Sequence, residues 1–204
     1  MAKKTRIVFI LDKSGSMGDS RQEVCDGFNA FVDEQKRWEG EVNMSLIYFD
    51  NYVQVGFKNK RIGDVGKLTK REYQTGGGTE LYRAVGNVIS QMQPSRKDEM
   101  TIVTIITDGC DNSSGGWDSD GIRKLIHKKR EKKWAITLLG AGIDAFYIAR
   151  CMGIAKGNVL GLSCSKEAFA RAFKAISSSY SSEILKGVEK SDHENIFKGI
   201  PINY

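Results

Sequence analysis

"IVFILDKSGSM", residues 7–17, runs five apolar side chains into a carboxylate and then sets two serines one residue apart. An unbroken apolar run, as opposed to an alternating one, marks a strand covered on both faces, as in a parallel sheet layered with helices. Runs of the same kind recur at 102–106 and 135–139, with a shorter one at 159–162. Helical stretches lie between them. Ser20 and Glu23 have capping-box spacing ahead of Val24, Phe28, Phe31 and Val32, which recur on one helical face. Thr79 precedes a second helix with Leu81, Val85 and Val88 inward. Ile122, Leu125 and Ile126 mark a third, residues 144–152 a fourth, and a last begins near Lys166 with Phe169, Phe173 and Ile176 as its stripe.

One element breaks this alternation. "VNMSLIYFDNYVQVGF" (42–57) is two strand-like runs joined at Asp50-Asn51, which reads as a two-residue hairpin turn. The pattern predicts a doubly wound, Rossmann-like α/β fold whose mostly parallel sheet has one antiparallel edge strand. Such sheets bind ligands beyond the carboxyl ends of their strands. With 204 residues, two prolines and no linker-like stretch, one domain is expected. "SSSYSS" (177–182) is taken as its end, giving a domain over 1–182 and a tail or docked helix over 183–204. The apolar run at 7–11 is too short for a membrane span or a signal-peptide core, so a cytoplasmic setting is expected. Cys25, Cys110, Cys151 and Cys164 lack zinc-ligand spacing and read as reduced, mostly buried thiols. A net charge of +6 permits an acidic partner without indicating nucleic acid.

Asp12, Ser14 and Ser16 therefore fall at the carboxyl end of the first strand. "TGGGTEL" (75–81) brings Thr79 to the same face in a glycine-rich loop, and "TIITDGCDN" (104–112) brings Asp108 there at the end of another strand. The set is two carboxylates and three hydroxyls, all hard oxygens, which suits Mg²⁺, with Mn²⁺ or Ca²⁺ also accepted. Two carboxylates roughly neutralise a divalent ion, while neutral hydroxyls leave it electrophilic toward an anionic oxygen from outside.

This arrangement resembles the von Willebrand factor A domain family and its metal-ion-dependent adhesion site. The D-x-S-x-S motif is Asp12-Lys13-Ser14-Gly15-Ser16, the distal threonine Thr79 within "GGTEL", and the later aspartate Asp108 within "TDG". The resemblance spans roughly residues 5–180, and "GAGIDAFYIARCMGI" (140–154) is similar to compact bacterial and phage members. It implies that the serines and threonine bind the metal directly, the aspartates often through water, and that a partner's Asp or Glu completes the shell. The expected function is a non-enzymatic protein-binding module with no membrane role, its oligomeric state left open.

Competing readings are weaker. "GAGIDA" (140–145) fits a dinucleotide turn, but an acidic ribose ligand is missing some 20 residues on, where Leu160 to Ser163 stand. A phosphatase nucleophile at Asp12 would need a second aspartate two residues later, and that position is Ser14. "HKKREKK" (127–133), preceded by Arg123 and Lys124, is the densest basic run and reads first as a solvated helix end, where cations complement the dipole. A nucleic-acid contact over 123–133 is the runner-up function, and a regulatory subunit of an ATPase complex a third. Lys13 reads as a solvated loop lysine or as an attractor for an acidic partner.

Overall fold

The computed structural model describes residues 4–38, 40–112, 115–186, 192–198 and 200. Six strands, β1 (Lys4–Asp12), β2 (Glu41–Phe49), β3 (Val53–Arg61), β4 (Glu99–Thr107), β5 (Ala135–Ala141) and β6 (Val159–Leu162), form one sheet in the order β3-β2-β1-β4-β5-β6. All neighbours run parallel except β2 and β3. Five helices cover it: α1 (Arg21–Gln35), α2 (Leu81–Gln91), α3 (Ser119–Arg130), α4 (Ala145–Met152) and α5 (Lys166–Lys186).

The two-residue period of β1 divides the core. Ile7, Phe9 and Leu11 point into a layer with α1 and α5, while Val8 and Ile10 point into the layer with α2, α3 and α4. On the first side Phe9 packs edge-on or tilted against Phe28, Phe31 and Phe173, with ring centroids 4.9–6.5 Å apart. Gly27 lets α1 and α5 approach: a Cβ there would lie 2.1 Å from the Phe173 ring. The doubly wound fold with one antiparallel edge strand is as the sequence predicts.

Four local expectations need correction. Ser20 sits at the N-cap of α1 but makes no side-chain cap, because a 3₁₀ turn over Gly15–Ser20 already leads into the helix. The hairpin loop holds three residues, since Phe49 pairs with Val53, and the β2–β3 register shifts twice. Only Cys25 is buried; Cys110 and Cys164 are exposed. The packing also does not stop at "SSSYSS". The stripe Phe169, Phe173, Ile176, Tyr180, Ile184 continues straight through it, and serine is simply the small residue between.

Tyr180 is fully buried, with its hydroxyl between those of Thr104 (2.5 Å) and Thr137 (2.9 Å), and Gln35 donates to Ser177 at 2.8 Å. Ile196 and Phe197 join the same core, held by the buried Asn158, which donates to the His193 carbonyl (2.7 Å) and accepts from Ile196 N (2.9 Å). The expected boundary at 182 thus falls inside α5; residues 187–191, 199 and 201–204 of the expected tail lie outside the described residues. Among the described residues no helix is long and apolar enough to cross a membrane.

Candidate metal centre

β1 ends at Asp12, whose side chain is fully buried. Oδ1 accepts from Ser14 N at 2.7 Å and Oδ2 from the Thr107 hydroxyl at 2.5 Å. Each oxygen keeps a lone pair for a further contact. The Ser14 and Ser16 hydroxyls are 3.1 Å apart, and Ser16 donates to Asp108 Oδ1 at 2.7 Å. Thr79, also buried, lies against Gly109, where a Cβ would come 3.1 Å from the threonine Oγ1. All five residues singled out in the sequence stand at the carboxyl ends of β1 and β4 and the start of α2.

Main-chain hydrogen bonds lock the loops together. Gly15 N donates to the Gly77 carbonyl (3.1 Å), Gly76 N to the Lys13 carbonyl (2.8 Å), and Asn112 N to the Thr79 carbonyl (3.1 Å). Gly77 has φ +76°, a left-handed conformation that glycine alone adopts cheaply, and a Cβ there would meet Asn51 Oδ1 at 2.5 Å. Four buttressing residues escaped the sequence reading. Asn51 accepts from Gly78 N (2.8 Å), Asn112 Oδ1 from Thr79 N (3.2 Å), Thr107 holds Asp12, and the buried Tyr73 hydroxyl donates to the Asp12 carbonyl. Asn51 carries a visible signal as a turn residue and Thr107 as the neighbour of Asp108; Tyr73 and Asn112 carry none.

Burial pushes the Asp12 carboxyl up to about 6, helped by the charge of Asp108 and opposed by the hydrogen bonds from Thr107 and Ser14. Burial also raises Asp108. A buried carboxylate and a half-buried one are thus linked through Ser14 and Ser16, with no cationic side chain among the described residues paired to either. Lys13 does not serve: its Nζ is engaged by Asp50 Oδ2 (3.2 Å) and Gln54 Oε1 (3.2 Å), so it is neither freely solvated nor turned to the carboxylates. The donor set fits a hard divalent cation. Ligands adjacent on a Mg²⁺ octahedron of about 2.1 Å radius lie about 3.0 Å apart, close to the serine–serine separation of 3.1 Å. Among the described residues no three His, Cys, Asp or Glu side chains gather as a metal cluster, so hydroxyls have to complete any such site.

The other motifs settle into structural roles. In "GAGIDA", Gly142 takes φ +66° and Asp144 caps α4 by accepting from Tyr147 N at 2.9 Å. The basic run ends α3 just before β5 begins, at the opposite end of the strands from Asp12 and Asp108. There Lys129 lies over the Trp134 ring (4.2 Å) and Arg130 pairs with Glu194 (2.7 Å).

The sheet is parallel but for one antiparallel edge strand, and hydroxyls and carboxylates converge at its carboxyl end, a doubly wound α/β domain with an oxygen-lined site. The von Willebrand factor type A domain family matches residues 7–110, and the chain belongs to it. It is 28% identical over 159 residues to the thrombospondin-related anonymous protein of Plasmodium berghei (strain Anka), covering 72% of this chain and 26% of that protein. Similar solved structures include the pilus adhesin SpaC from Lactobacillus rhamnosus GG (TM-score 0.69, 14% identity, 91% of this chain and 30% of that one). Proximal thread matrix protein 1 from the mussel byssus, in a form with a zinc-occupied MIDAS motif, is another (TM-score 0.64, 16% identity, 86% and 45%). The chain spans about a quarter of the Plasmodium relative and less than half of each of these structures.

Proposed function

We propose that this chain is a non-enzymatic binding module that captures an acidic side chain of a protein partner at a divalent cation held by Asp12, Ser14, Ser16, Thr79 and Asp108. The observation that carries the reading is the hydrogen-bonded run from Asp12 through the Ser14 N–H and hydroxyl and Ser16 to Asp108, which joins the loops after β1 and β4. A cation there, Mg²⁺ first, would supply an electrophilic point for one outside carboxylate. The chain's own residues do the rest. Asp12 and Asp108 bring the negative charge, the serine and threonine hydroxyls add oxygens without quenching it, and Tyr73 and Thr107 fix the strand end. Among the described residues no histidine stands near as a general base, which supports binding without turnover. Four free thiols, two of them exposed, support a reducing, cytoplasmic setting.

Thermal melts with EDTA and with Mg²⁺ test the reading. At a hundred times its Kd a ligand adds about 2.7 kcal/mol, or about 5–11 °C for a chain of this size. Asp12→Ala is expected to abolish the rise. Identical midpoints across millimolar Mg²⁺ would overturn the proposal.

A further inference from the structure

Residues 57–76 carry six cations and two carboxylates, so +4 of the chain's net +6 lies in about a tenth of its length. Lys58, Lys60 and Arg61 are on β3; Lys67, Lys70 and Arg71 are on the strap that returns from it to the metal loops. All six are exposed, and none forms an ion pair among the described residues. Of the two acids, Glu72 is engaged by Thr69 through its N–H (3.0 Å) and hydroxyl (2.8 Å).

The strap is fixed along its length. It runs antiparallel to α1, held by Lys36 on the Val65 carbonyl (2.8 Å), Asn29 on both polar groups of Leu68 (3.0 and 2.7 Å), and Arg21 on the Tyr73 carbonyl (3.0 Å). Lys36 to Arg21 spans about 22 Å of helix. Val65, Leu68 and Tyr73 face inward, so Lys67, Lys70 and Arg71 face out. The top of the strap is the metal site itself, through Tyr73 to the Asp12 carbonyl and Gly76 N to the Lys13 carbonyl.

We infer that this basic strap is the second half of the partner's footprint: it holds an acid-rich stretch of polypeptide flanking the carboxylate offered to the metal. The inference rests on the metal-centred reading above. About seven extended residues would span the strap at 3.3 Å each. Exposed cations around a contact chiefly raise the on-rate and impose salt dependence. A polypeptide is favoured over single-stranded nucleic acid because β3, which carries the other three cations, also exposes the aliphatic Val53 (38%) and Val55 (56%), on which no base stacks. No exposed aromatic is interleaved with the strap's cations, as base stacking would require.

Fluorescence anisotropy with a labelled octaglutamate, and with a 20-nucleotide DNA as rival probe, tests this in Mg²⁺ and in EDTA. K67Q/K70Q/R71Q is expected to weaken octaglutamate binding about tenfold at low salt, shrinking to under about twofold at 0.5 M salt. K128Q/K132Q/K133Q makes the same charge change at the far end of the sheet and should leave binding within about twofold. Equal losses in both triple variants, or none in the first, overturn the inference. Tighter, strap-dependent binding of the DNA overturns it in favour of a nucleic-acid surface. S14A/S16A reports on the metal reading alone: it should remove the Mg²⁺ dependence while the strap's salt-sensitive share persists. Strap dependence together with indifference to EDTA would support the strap and sink the metal-centred reading.

Discussion

Removing one oxygen atom from Tyr73 tests whether the strap and the metal loops act as a unit. Tyr73→Phe keeps the ring, fully buried and stacked on Tyr48 with centroids 6.1 Å apart, and deletes only the donor to the Asp12 carbonyl. Burial and the nearby charge of Asp12 hold the phenol protonated well beyond any working pH, so the donor is always present in the native protein. Withdrawing a donor from a buried carbonyl costs about 1–3 kcal/mol. At about 2–4 °C per kcal/mol for a chain of this size, the metal-free midpoint should fall by about 2–12 °C. A second effect is expected on top. Groups that orient metal ligands typically change affinity by at least about tenfold. At fixed Mg²⁺ that removes about 1.4 kcal/mol of ligand stabilisation, or a further 3–6 °C. Calorimetric melts across a Mg²⁺ series, with titration calorimetry for the affinity, separate the two. A metal-free midpoint that does not move refutes the hydrogen-bond argument, while an unchanged Mg²⁺ increment refutes the positioning role of Tyr73.

Tyr180→Phe strands the buried Thr104 hydroxyl, while Thr137 keeps its 3.3 Å bond to the Val103 carbonyl, and should cost about 1–3 kcal/mol; adding Thr104→Val should recover most of it in denaturant melts, because the stranded hydroxyl is then gone. Gly77→Ala forces a left-handed alanine against Asn51 and should cost about 1–3 kcal/mol while weakening Mg²⁺ binding, seen by the same melts. The purified protein should turn over no generic phosphate ester; metal-dependent hydrolysis abolished by Asp12→Asn would mark it as an enzyme. Gly27→Ala drives a methyl group into the Phe173 ring and should destabilise by about 1–3 kcal/mol without changing Mg²⁺ affinity.

What the sequence discloses, and what it hides, follows the range of the interactions. Buried strands announce themselves locally because both faces of β1, β4 and β5 are covered, so no charged side chain interrupts their middles. The five candidate ligands are legible because each follows a strand or a glycine-rich loop at a spacing the chain itself displays. Tyr73 and Asn112 are invisible for the opposite reason: each acts on a residue 61 or 33 positions away, and nothing in its own neighbourhood marks the partner. "SSSYSS" misleads because composition points to a linker while the helical period of Phe173, Ile176, Tyr180 and Ile184 points to a buried face. There the period is the better guide. Ser20 misleads because capping depends on how the chain arrives, and here it arrives already coiled.

The two register shifts between β2 and β3 have a further consequence. β3 is the long open margin of the sheet, and all its residues but Phe57 are exposed. A straight strand so placed is a template on which another chain can stack through its main-chain groups. Here the pairing slips on either side of Leu46, and Asn59 turns to φ +49° with its N–H given to the Ser45 hydroxyl at 2.9 Å. Outward-facing main-chain groups are thrown out of step, and no long ruler of evenly spaced donors and acceptors remains. Together with the exposed charges of Lys58, Lys60 and Arg61, this disfavours the edge-to-edge pairing of one sheet with another.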